Sequence, residues 1–582
     1  MILTRNGDST AGDLSHLELP VAIGSSELFF SPTRSSPASL SNFRSENQIN
    51  EKCCRGDGRA SSSRINGSGG ETIFHGGFFR PRYKETQKEK WKPTVGLEVH
   101  AQIATESKLF SAASTDFARP VNSCVSFFDC ATPGTLPVLN RRCVESAVTT
   151  ALALSCRLNE TSLFERKHYF YADLPAGFQI TQQGRPIAVN GEVRFHVFIP
   201  GLHKSPYLKS SKIKQIQLEQ DSGRSLHVED AARSLIDLNR AGIPLMEFVF
   251  EPDLVDGEEA AALVKELAFT LQLLGVCSGK MEEGALRVDA NVSVSNCGSL
   301  GVRTEIKNIG SVRAVAAAVQ YEINRHFSIL EVGDEMFNET RAWDTVNKRT
   351  VPMREKEDKE DYRFMPETNL PPLRIHLRED LPNRSNLVDA VVLRRQLPEL
   401  PEQIRQRLQD VLQITPEIIV ALMSDFTLLQ LFNGIMRKNE KREPQLVAKF
   451  LVMNLLTFLN KNKLTIEFCI PREDFIGQLV DLLQDKLINL ITAKKILKEL
   501  IADSDKRPKE IVEERNWFLI SDEKQLEQMC LEIIEKNPKL VSGYKSGKKK
   551  LFNALMGEMA KVTEQRADFA AVAKIMERLL KS

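Results

Sequence analysis

Strict alternation of apolar and polar residues is the clearest pattern in the chain, and it begins at Val95. In VGLEVHAQI, which runs from Val95 to Ile103, every second residue is apolar. Successive side chains of a β-strand point to opposite faces, so the pattern predicts a strand with one buried and one polar face. The polar face carries Glu98 and His100. A carboxylate and an imidazole on one face suit a metal or acid–base site, although an ordinary solvated face explains them equally well.

Four later segments repeat this alternation and are predicted to be strands as well. They are residues 213–221, 245–251, 286–294 and 302–308. One-sided alternation in five segments indicates a single antiparallel sheet whose open face is rich in charge. The charged residues of that face in the four segments are Glu219, Asp221, Glu247, Glu251, Arg287, Asp289, Arg303, Glu305 and Lys307.

The residue types on this face favour phosphate chemistry. Carboxylates and one imidazole are plausible ligands for Mg²⁺, a hard cation that prefers oxygen. Basic groups beside them would hold phosphate oxygens, so the set fits nucleotide-dependent phosphoryl transfer onto a carboxylate. The sequence contains neither G-x-x-x-x-G-K-[ST] nor a well-placed G-x-G-x-x-G, the two common phosphate loops. A charged face with no metal–phosphate site therefore stays open as the alternative.

Helical periodicity lies between the strands and dominates the last third of the chain. Apolar stripes over residues 144–154, 258–274 and 311–331 predict helices that pack on one face of the sheet. Beyond residue 381 the predicted helices are residues 402–412, 445–459, 475–500, 523–535, 551–562 and 569–580. We therefore predict an α+β fold in four parts. They are a leader (1–90), an antiparallel-sheet catalytic domain (91–380), a helical linker domain (381–430) and a helical tail domain (431–582).

Composition limits the classes of partner. Hydrophobic residues make up 42% of the 582 and charged residues 27%, which is ordinary for a globular protein. The formal net charge is +1, so a nucleic-acid surface must be a local patch. There is no run of about 18 apolar residues, so neither a transmembrane helix nor a membrane partner is expected. Ten scattered cysteines without a Cys-x-x-Cys pair indicate a reducing compartment.

Three further segments each leave more than one explanation open. Residues 31–71, rich in Ser, Gly and Arg, favour an organelle transit segment, a plain disordered tail or a wrongly assigned first exon. The aromatic-rich residues 168–180 form either a loop over a ligand or a rigid turn packed on the core. A cluster of lysines around GYKSGKKK is either a solvated loop or a contact with a nucleic-acid backbone. Its members are Lys536, Lys539, Lys545, Lys548, Lys549 and Lys550.

Seven motifs carry a resemblance to a known family. They read VGLEVHAQIATESKLFS, FYADLPAGFQITQ, IQLEQDSGRSLH, LIDLNRAGIPLMEFVFEPD, EEGALRVDANVSV, RTEIKNIGSVRA and DYRFMPETNLPPL. They resemble the B subunit of the aspartyl/glutamyl-tRNA amidotransferases in its animal mitochondrial form, from about Lys92 to the C-terminus. The resemblance implies a location in the mitochondrial matrix. It also implies a catalytic fold like that of glutamine synthetase, followed by a helical tRNA-binding tail.

The resemblance implies a reaction as well. With an amidase partner (the A subunit) and a small third partner (the C subunit), the chain would convert Glu-tRNA(Gln) to Gln-tRNA(Gln). It would use ATP and Mg²⁺ to phosphorylate the glutamate side chain, and ammonia that the amidase releases from glutamine would displace phosphate. The residues implied for metal binding and catalysis are Glu98, His100, Glu219, Glu247 and Asp289. We add Arg287 and Lys307 for phosphate binding, and Lys545, Lys548, Lys549 and Lys550 for tRNA binding.

The chain departs from the family pattern in two places. Bacterial members often have Glu-Glu-Asp where this chain has Glu219-Gln220-Asp221, so Glu219 must carry that role alone. Some relatives bind zinc through two Cys pairs, whose positions here are Ser111, Ala113, Ser126 and Asp129. Cys124 and Cys130 are out of register, so no structural zinc is expected. Two other functions stay open: a scaffold that binds tRNA without catalysis, and a free-standing amino-acid ligase of the glutamine synthetase type.

Overall fold

The segments predicted from alternation pair into one large sheet. The computed structural model describes residues 91–228, 233–296, 298–353, 362–502 and 506–581, so the predicted leader lies outside the described residues. The strands, in chain order, are β1 (Lys92–Gln102), β2 (Arg157–Leu158), β3 (Thr161–Ser162), β4 (Glu165–His168), β5 (Phe178–Thr181), β6 (Ala188–Val197), β7 (Tyr207–Gln220), β8 (Arg224–Val228), β9 (Arg233–Asp237), β10 (Pro244–Phe250), β11 (Leu286–Ser295), β12 (Thr304–Lys307), β13 (Glu339–Asp344), β14 (Arg349–Pro352), β15 (Arg363–Pro366), β16 (Leu373–His376) and β17 (Val388–Asp389).

The large sheet has nine strands in the order β14-β13-β12-β11-β1-β10-β7-β6-β2. All five predicted strands are confirmed, and they are consecutive as β12-β11-β1-β10-β7. Neighbours pair antiparallel except β12 and β13, which run parallel. The prediction of a purely antiparallel sheet is wrong at this pair, because the helix Val312–Val332 connects β12 to β13 as a crossover. The fold is therefore mixed α/β with a large sheet, and a helical region follows it.

Three helices pack against the apolar residues of the sheet, as predicted. They are α1 (Arg141–Ala153), α2 (Gly257–Leu273) and α3 (Val312–Val332). Helix α2 contacts β6, and α3 contacts β11. Leu97 and Val99 of β1 are buried in one core with Leu263 of α2 and Val319 of α3. Because the apolar positions face this core, strand alternation leaves the charged positions on the opposite face.

A smaller sheet, β15-β4-β5, lies against one end of this polar face. Strand β5 contacts β7, and Gln179 Nε2 donates a hydrogen bond to the backbone oxygen of Gln220 at 2.7 Å. The β4–β5 hairpin therefore shields the end of β7 from water. As a result, Glu219 is only 3% exposed.

The last third of the chain is helical, as predicted. Its α-helices are α4 (Ala390–Arg395), α5 (Pro401–Gln406), α6 (Pro416–Leu422), α7 (Phe426–Lys438), α8 (Pro444–Lys449), α9 (Leu456–Lys461), α10 (Glu473–Gln484), α11 (Leu490–Ala502), α12 (Pro508–Arg515), α13 (Glu523–Lys536), α14 (Pro538–Lys545), α15 (Lys550–Val562) and α16 (Phe569–Lys581). Turns of π-helix continue α5 over Arg407–Val411 and join α8 to α9 over Phe450–Leu455, and a 3₁₀ turn covers Ile466–Arg472.

One predicted helix, residues 475–500, is wrong as a single element. It is divided into α10 and α11, with Lys486 in the left-handed region at φ 56°. Asn489 then starts the second helix, because its side-chain oxygen accepts hydrogen bonds from the amides of Ile491 at 3.1 Å and Thr492 at 2.9 Å. An asparagine cap of this kind begins a new helix even where apolar periodicity continues.

Three hydrophobic clusters lie along the described residues. The first spans the sheet and α1 to α3, the second joins Phe269 to residues 404–512, and the third covers residues 526–580. The predicted domain boundaries stay a prediction. In the described residues no single helix has the length and apolarity to cross a membrane. The bent pair α6 and α7, at 113°, meets these two criteria jointly, but Leu428 and Phe432 of α7 are buried in the second cluster.

Candidate active site

Strand register brings together the charged residues predicted from five separate segments. On one side of β1, His100 lies opposite Glu247 of β10, and on the other side it lies opposite Arg287 of β11. Glu98 lies opposite Asp289 of β11 in the same way. Strand β7, the next neighbour of β10, carries Glu219. The side chains predicted to bind metal therefore lie on one face of four adjacent strands.

His100, Glu219 and Glu247, hereafter the cation cluster, form the tightest part of this face. His100 Nε2 lies 3.1 Å from Glu219 Oε1 and 3.9 Å from Glu247 Oε1. One ligand atom from each residue lies within 4.8 Å of the other two. Within the part of the chain that the structure describes, it is the one cluster of His, Cys, Asp and Glu spaced to hold a metal ion. Two carboxylates and an imidazole at this spacing are a donor set for a divalent cation.

The same three groups compete for protons. Burial opposes protonation of His100, but its hydrogen bond to Glu219 and the charges of Glu219 and Glu247 raise its pKa to about 9. Burial alone would raise the pKa of Glu219, but the hydrogen bond and charge of His100 lower it. Burial and the charge of Glu219 raise the pKa of Glu247. Two carboxylates this close need positive charge between them, which protons supply here and which a divalent cation would supply equally well.

Glu98 and Asp289 lie beside this cluster with different partners. Glu98 Oε1 accepts a hydrogen bond from Asn291 Nδ2 at 3.1 Å. Asp289 Oδ2 accepts one from Lys307 Nζ at 2.9 Å, and Lys307 Nζ also lies 3.1 Å from Glu305 Oε1. Burial would lower the pKa of Lys307, but the charges of Asp289 and Glu305 raise it instead. Lys307 is therefore an ammonium group held between two carboxylates at the edge of the face.

Arg287, the other predicted phosphate-binding residue, also has a carboxylate partner. Its Nη2 donates a hydrogen bond to Asp221 Oδ2 at 2.9 Å, and Arg240 Nε lies 3.6 Å from the same oxygen. A cavity of about 330 Å³ opens beside Asp221. Residues 128–135 and 174–178 contribute to its walls. The cavity therefore borders Asp221, the partner of Arg287, and His100, Glu219 and Glu247 are not among its lining residues.

The aromatic segment predicted at residues 168–180 is the loop of the β4–β5 hairpin and its flanks. The ring of Tyr169 contacts the rings of Tyr171 and Tyr362 at centroid distances of 5.6 and 5.8 Å. Burial and the nearby charges of Glu219 and Asp221 raise the pKa of the Tyr169 hydroxyl. Phe170, the next residue, is 86% exposed. The segment thus contains a packed aromatic turn, and one exposed ring that leaves the ligand-loop alternative open.

Comparison with known proteins identifies the family of this chain. Residues 93–379 match the family model described as the GatB/GatE catalytic domain, and residues 430–580 match the one described as the GatB domain. The two models cover most of the chain. The chain belongs to the GatB family.

Individual relatives agree with this assignment. The B subunit of the mitochondrial glutamyl-tRNA(Gln) amidotransferase of Aedes aegypti is 52% identical over 499 residues, which are 85% of this chain and 94% of the relative. The human mitochondrial protein of the same description is 45% identical over 497 residues, 85% of this chain and 89% of the relative. The B subunit of the aspartyl/glutamyl-tRNA(Asn/Gln) amidotransferase of Rickettsia typhi is 40% identical over 502 residues, 86% of this chain and all of the relative. The predicted mitochondrial location is confirmed by these animal relatives.

Both predicted departures from the family pattern can now be located. Gln220 follows Glu219 in β7, so its side chain points to the opposite side of the strand. A glutamine in place of glutamate at this position therefore removes no carboxylate from the cluster. At the positions where some relatives bind zinc, a buried ion pair joins Lys108 Nζ to Asp129 Oδ2 at 3.1 Å. Asp129 also accepts hydrogen bonds from Ser111 Oγ at 3.1 Å and from the Ser126 amide at 2.9 Å. This network links the two segments where the paired cysteines would stand.

The four lysines predicted to bind tRNA lie together at one turn. Lys545 is in the last turn of α14, Lys548 and Lys549 follow it, and Lys550 begins α15. All four are exposed. The rings of Tyr544 and Phe552 lie 5.9 Å apart and pack on each other, so they are poor platforms for bases. The turn therefore presents positive charge rather than aromatic surface.

Sequence reasoning missed the contribution of the β4–β5 hairpin to this site. Thr181 Oγ1 donates a hydrogen bond to Glu219 Oε2 at 3.3 Å, and the charge of Lys167 helps to lower the pKa of Glu219 after that of His100. Both residues come from four-residue strands separated by a loop with Pro175 and Gly177, and alternation over four residues is too brief to assign a face. The signal that was available was the motif FQITQ itself, which the family resemblance included.

Proposed function

We propose that this chain activates the glutamate of Glu-tRNA(Gln) for amidation, as a catalytic component of a glutamine-hydrolysing tRNA amidotransferase. It uses ATP and Mg²⁺ to phosphorylate the side-chain carboxylate, and ammonia then gives Gln-tRNA(Gln). The observation that carries the proposal is the convergence of His100, Glu219 and Glu247 beside Glu98 and Asp289 on one sheet face. The relatives are named as B subunits of glutamyl-tRNA(Gln) amidotransferases, which supports the choice of substrate.

The site offers positive groups that can stabilise the charge that develops in this reaction. A carboxylate is a poor electrophile because oxide is a poor leaving group. Attack of a carboxylate oxygen on the γ-phosphorus of ATP breaks the bond to ADP and gives an acyl phosphate. Attack of ammonia on the acyl carbon then releases phosphate and a proton and leaves the amide. Both steps build negative charge on phosphate oxygens, which positive groups fixed on a rigid sheet stabilise.

Named residues have distinct roles in this proposal. His100, Glu219 and Glu247 would hold the cation, which when bound neutralises phosphate oxygens and the carboxylates themselves. Glu98 and Asp289 complete the acidic side of the site. Lys307 and Arg287 are the candidates to hold phosphate oxygens, since both project from the neighbouring strands of the same face. The phosphate backbone of tRNA would contact the exposed lysines Lys545, Lys548, Lys549 and Lys550.

The proposal includes two partner subunits and a likeness in fold. An amidase partner, the A subunit of such a complex, would release ammonia from glutamine, and a small C subunit would complete the assembly. The likeness of the catalytic sheet to that of glutamine synthetase, which the family resemblance implies, is part of the proposal and fits a chemistry in which both activate a glutamate carboxylate with ATP.

Trapping the acyl phosphate tests the proposal directly. We expect the complex of this chain with its co-purifying partners to convert Glu-tRNA(Gln), ATP, Mg²⁺ and hydroxylamine into the tRNA-bound γ-hydroxamate. Glu98→Gln and Asp289→Asn should each lower the rate of hydroxamate formation by about 100-fold or more, in line with the loss of a group that acts on developing charge. Glu192→Gln is the matched control, because Glu192 lies on β6 of the same sheet and pairs with Arg194 at 2.9 Å.

Three outcomes would overturn this mechanism. Full activity of Glu98→Gln and Asp289→Asn would remove the proposed site. Binding of tRNA by the wild-type complex without any hydroxamate would favour the catalytically silent scaffold. Turnover of free glutamate in the absence of tRNA would favour the free-standing ligase.

A further inference from the structure

Behind the cation cluster lies a chain of buried hydrogen bonds that connects its two carboxylates. Gln215 Nε2 donates to Gln217 Oε1 at 2.5 Å. Gln217 Nε2 donates to Glu247 Oε2 at 2.5 Å and to Thr181 Oγ1 at 3.1 Å. Thr181 Oγ1 in turn donates to Glu219 Oε2 at 3.3 Å. Residues from two sheets, β7 and β5, thus meet both carboxylates from the side away from His100.

The donors and acceptors of Gln217 and Thr181 are mutually consistent in this network. A primary amide has two N–H donors, and those of Gln217 are both used, one toward Glu247 and one toward Thr181. Because the Thr181 oxygen accepts from Gln217, its single O–H is left to donate to Glu219. At the other end of the Gln217 amide, the oxygen accepts a hydrogen bond from Gln215, which is consistent with both N–H groups pointing toward Glu247 and Thr181.

As a consequence, the two oxygens of each carboxylate have different partners. The two Oε2 atoms accept from Gln217 and Thr181, and the two Oε1 atoms face His100 Nε2 at 3.1 and 3.9 Å. Gln217 and Thr181 are 2% and 1% exposed, so water does not compete for these bonds. A hydrogen bond to one oxygen restricts rotation of each carboxylate, so it favours the orientation in which the second oxygen points toward His100.

We propose that Gln217 and Thr181 are positioning residues that keep Glu247 and Glu219 converged for a divalent cation. This inference rests on the proposed function, because it assumes that the cluster binds a cation. The pair touches neither substrate nor cation and acts through the carboxylates. Loss of such supporting hydrogen bonds costs about 10- to 100-fold in metal affinity at protein sites.

Binding of Mn²⁺ to the full chain, followed by its paramagnetic resonance signal, measures this without relying on activity. Thr181→Val removes the hydroxyl at nearly constant volume, and Gln217→Met removes both donors at similar length. We expect each variant to bind Mn²⁺ about 10- to 100-fold more weakly than wild type. Thr181→Ser restores the donor, so it should bind within a few-fold of wild type. Thr270→Val is the matched control, because this buried hydroxyl on α2 donates only to the backbone oxygen of Glu266.

The outcomes separate this inference from the function on which it rests. If the wild-type chain binds no Mn²⁺, or binds it at a site that Glu219→Gln does not affect, the proposed function is overturned as well. A site that Glu219→Gln abolishes, but that Thr181→Val and Gln217→Met leave at full affinity, would overturn the positioning role alone. Equal weakening by Thr181→Ser and Thr181→Val would also refute it, because volume and not the hydroxyl would then be responsible. Weakening by Thr270→Val to the same degree would reassign the effect to general destabilisation.

Discussion

The buried ion pair of Lys108 and Asp129 should hold the long segment that follows β1 in place. The side chains are 0% and 1% exposed, with Nζ and Oδ2 3.1 Å apart. Ser111 and Ser126 donate to the same carboxylate. In Asp129→Asn the shape is kept and the negative charge is lost, so a buried ammonium remains without its counter-charge. Breaking a buried pair from one side costs about 3 to 5 kcal/mol.

The upper limit of this cost can be worked out from the lysine itself. Burial already lowers the pKa of Lys108, although the charge of Asp129 opposes the shift. Without that charge, Lys108 can lose its proton, and the cost of burying an unpaired ammonium group is then avoided. At pH 7 this costs about 4.6 kcal/mol, because the unfolded pKa of lysine is about 10.4 and each unit is worth about 1.36 kcal/mol. At pH 9 the same limit falls to about 2 kcal/mol, so the defect should shrink as the pH rises toward the unfolded pKa.

Hydrogen exchange of the amides between residues 107 and 130 measures this cost locally, where unfolding of the whole chain is not a two-state process. We expect Asp129→Asn to raise the opening constant by about 100- to 2,000-fold at pH 7, and by less at pH 9. Adding Lys108→Met should recover much of the loss, because two changes in one contact are not additive. Asp116→Asn is the control, since its pair with Arg119 in the same segment is exposed. Wild-type exchange in Asp129→Asn would refute the role of the pair.

Three further predictions concern other parts of the chain. Glu322→Gln should destabilise the sheet by about 3 kcal/mol at pH 7, because hydrogen bonds from His326 and Arg325 outweigh burial and lower the pKa of Glu322 to about 2. This advantage is present above the unfolded pKa of about 4.5 and is lost as pH falls toward 2, so the opening constants that hydrogen exchange gives for the β14 amides should converge between variant and wild type there. Gly257→Ala should lower the melting temperature, because a Cβ would lie 2.1 Å from the backbone oxygen of Ala316, whereas Gly557→Ala meets nothing and should not. Alanine at lysines 548–550 should weaken tRNA binding and flatten its dependence on salt by about one unit of slope per lost phosphate contact, and arginine there should not.

The alternating segments show how far sequence alone reaches toward this site. Period-2 alternation assigns Glu98, Glu219, Glu247 and Asp289 to the polar faces of strands, because a buried face leaves little freedom in register. Alternation does not state which strand lies next to which. The order β12-β11-β1-β10-β7, and with it the pairing of Glu98 with Asp289, is a long-range property that only the folded sheet contains.

What sequence reasoning could not supply lies in side-chain contacts between distant segments. The Thr181 hydroxyl reaches Glu219 because a two-stranded hairpin folds back over β7, and nothing in four residues of strand predicts that return. The parallel pairing of β12 and β13 follows from a helix between them, and the break between α10 and α11 follows from an asparagine cap. In each case the structure depends on a particular side chain or connection that the apolar pattern does not reveal.

The balance of charge on the polar face bears on the order of ligand binding. Its basic candidates for phosphate are both occupied, Lys307 by Asp289 and Glu305, and Arg287 by Asp221. A phosphate that arrived alone would have to compete with the negative charges of these carboxylates. A divalent cation held by the acids would offset those charges, so the ammonium and guanidinium groups could turn to phosphate oxygens at smaller cost. We therefore expect nucleotide to bind this face with its cation and not before it.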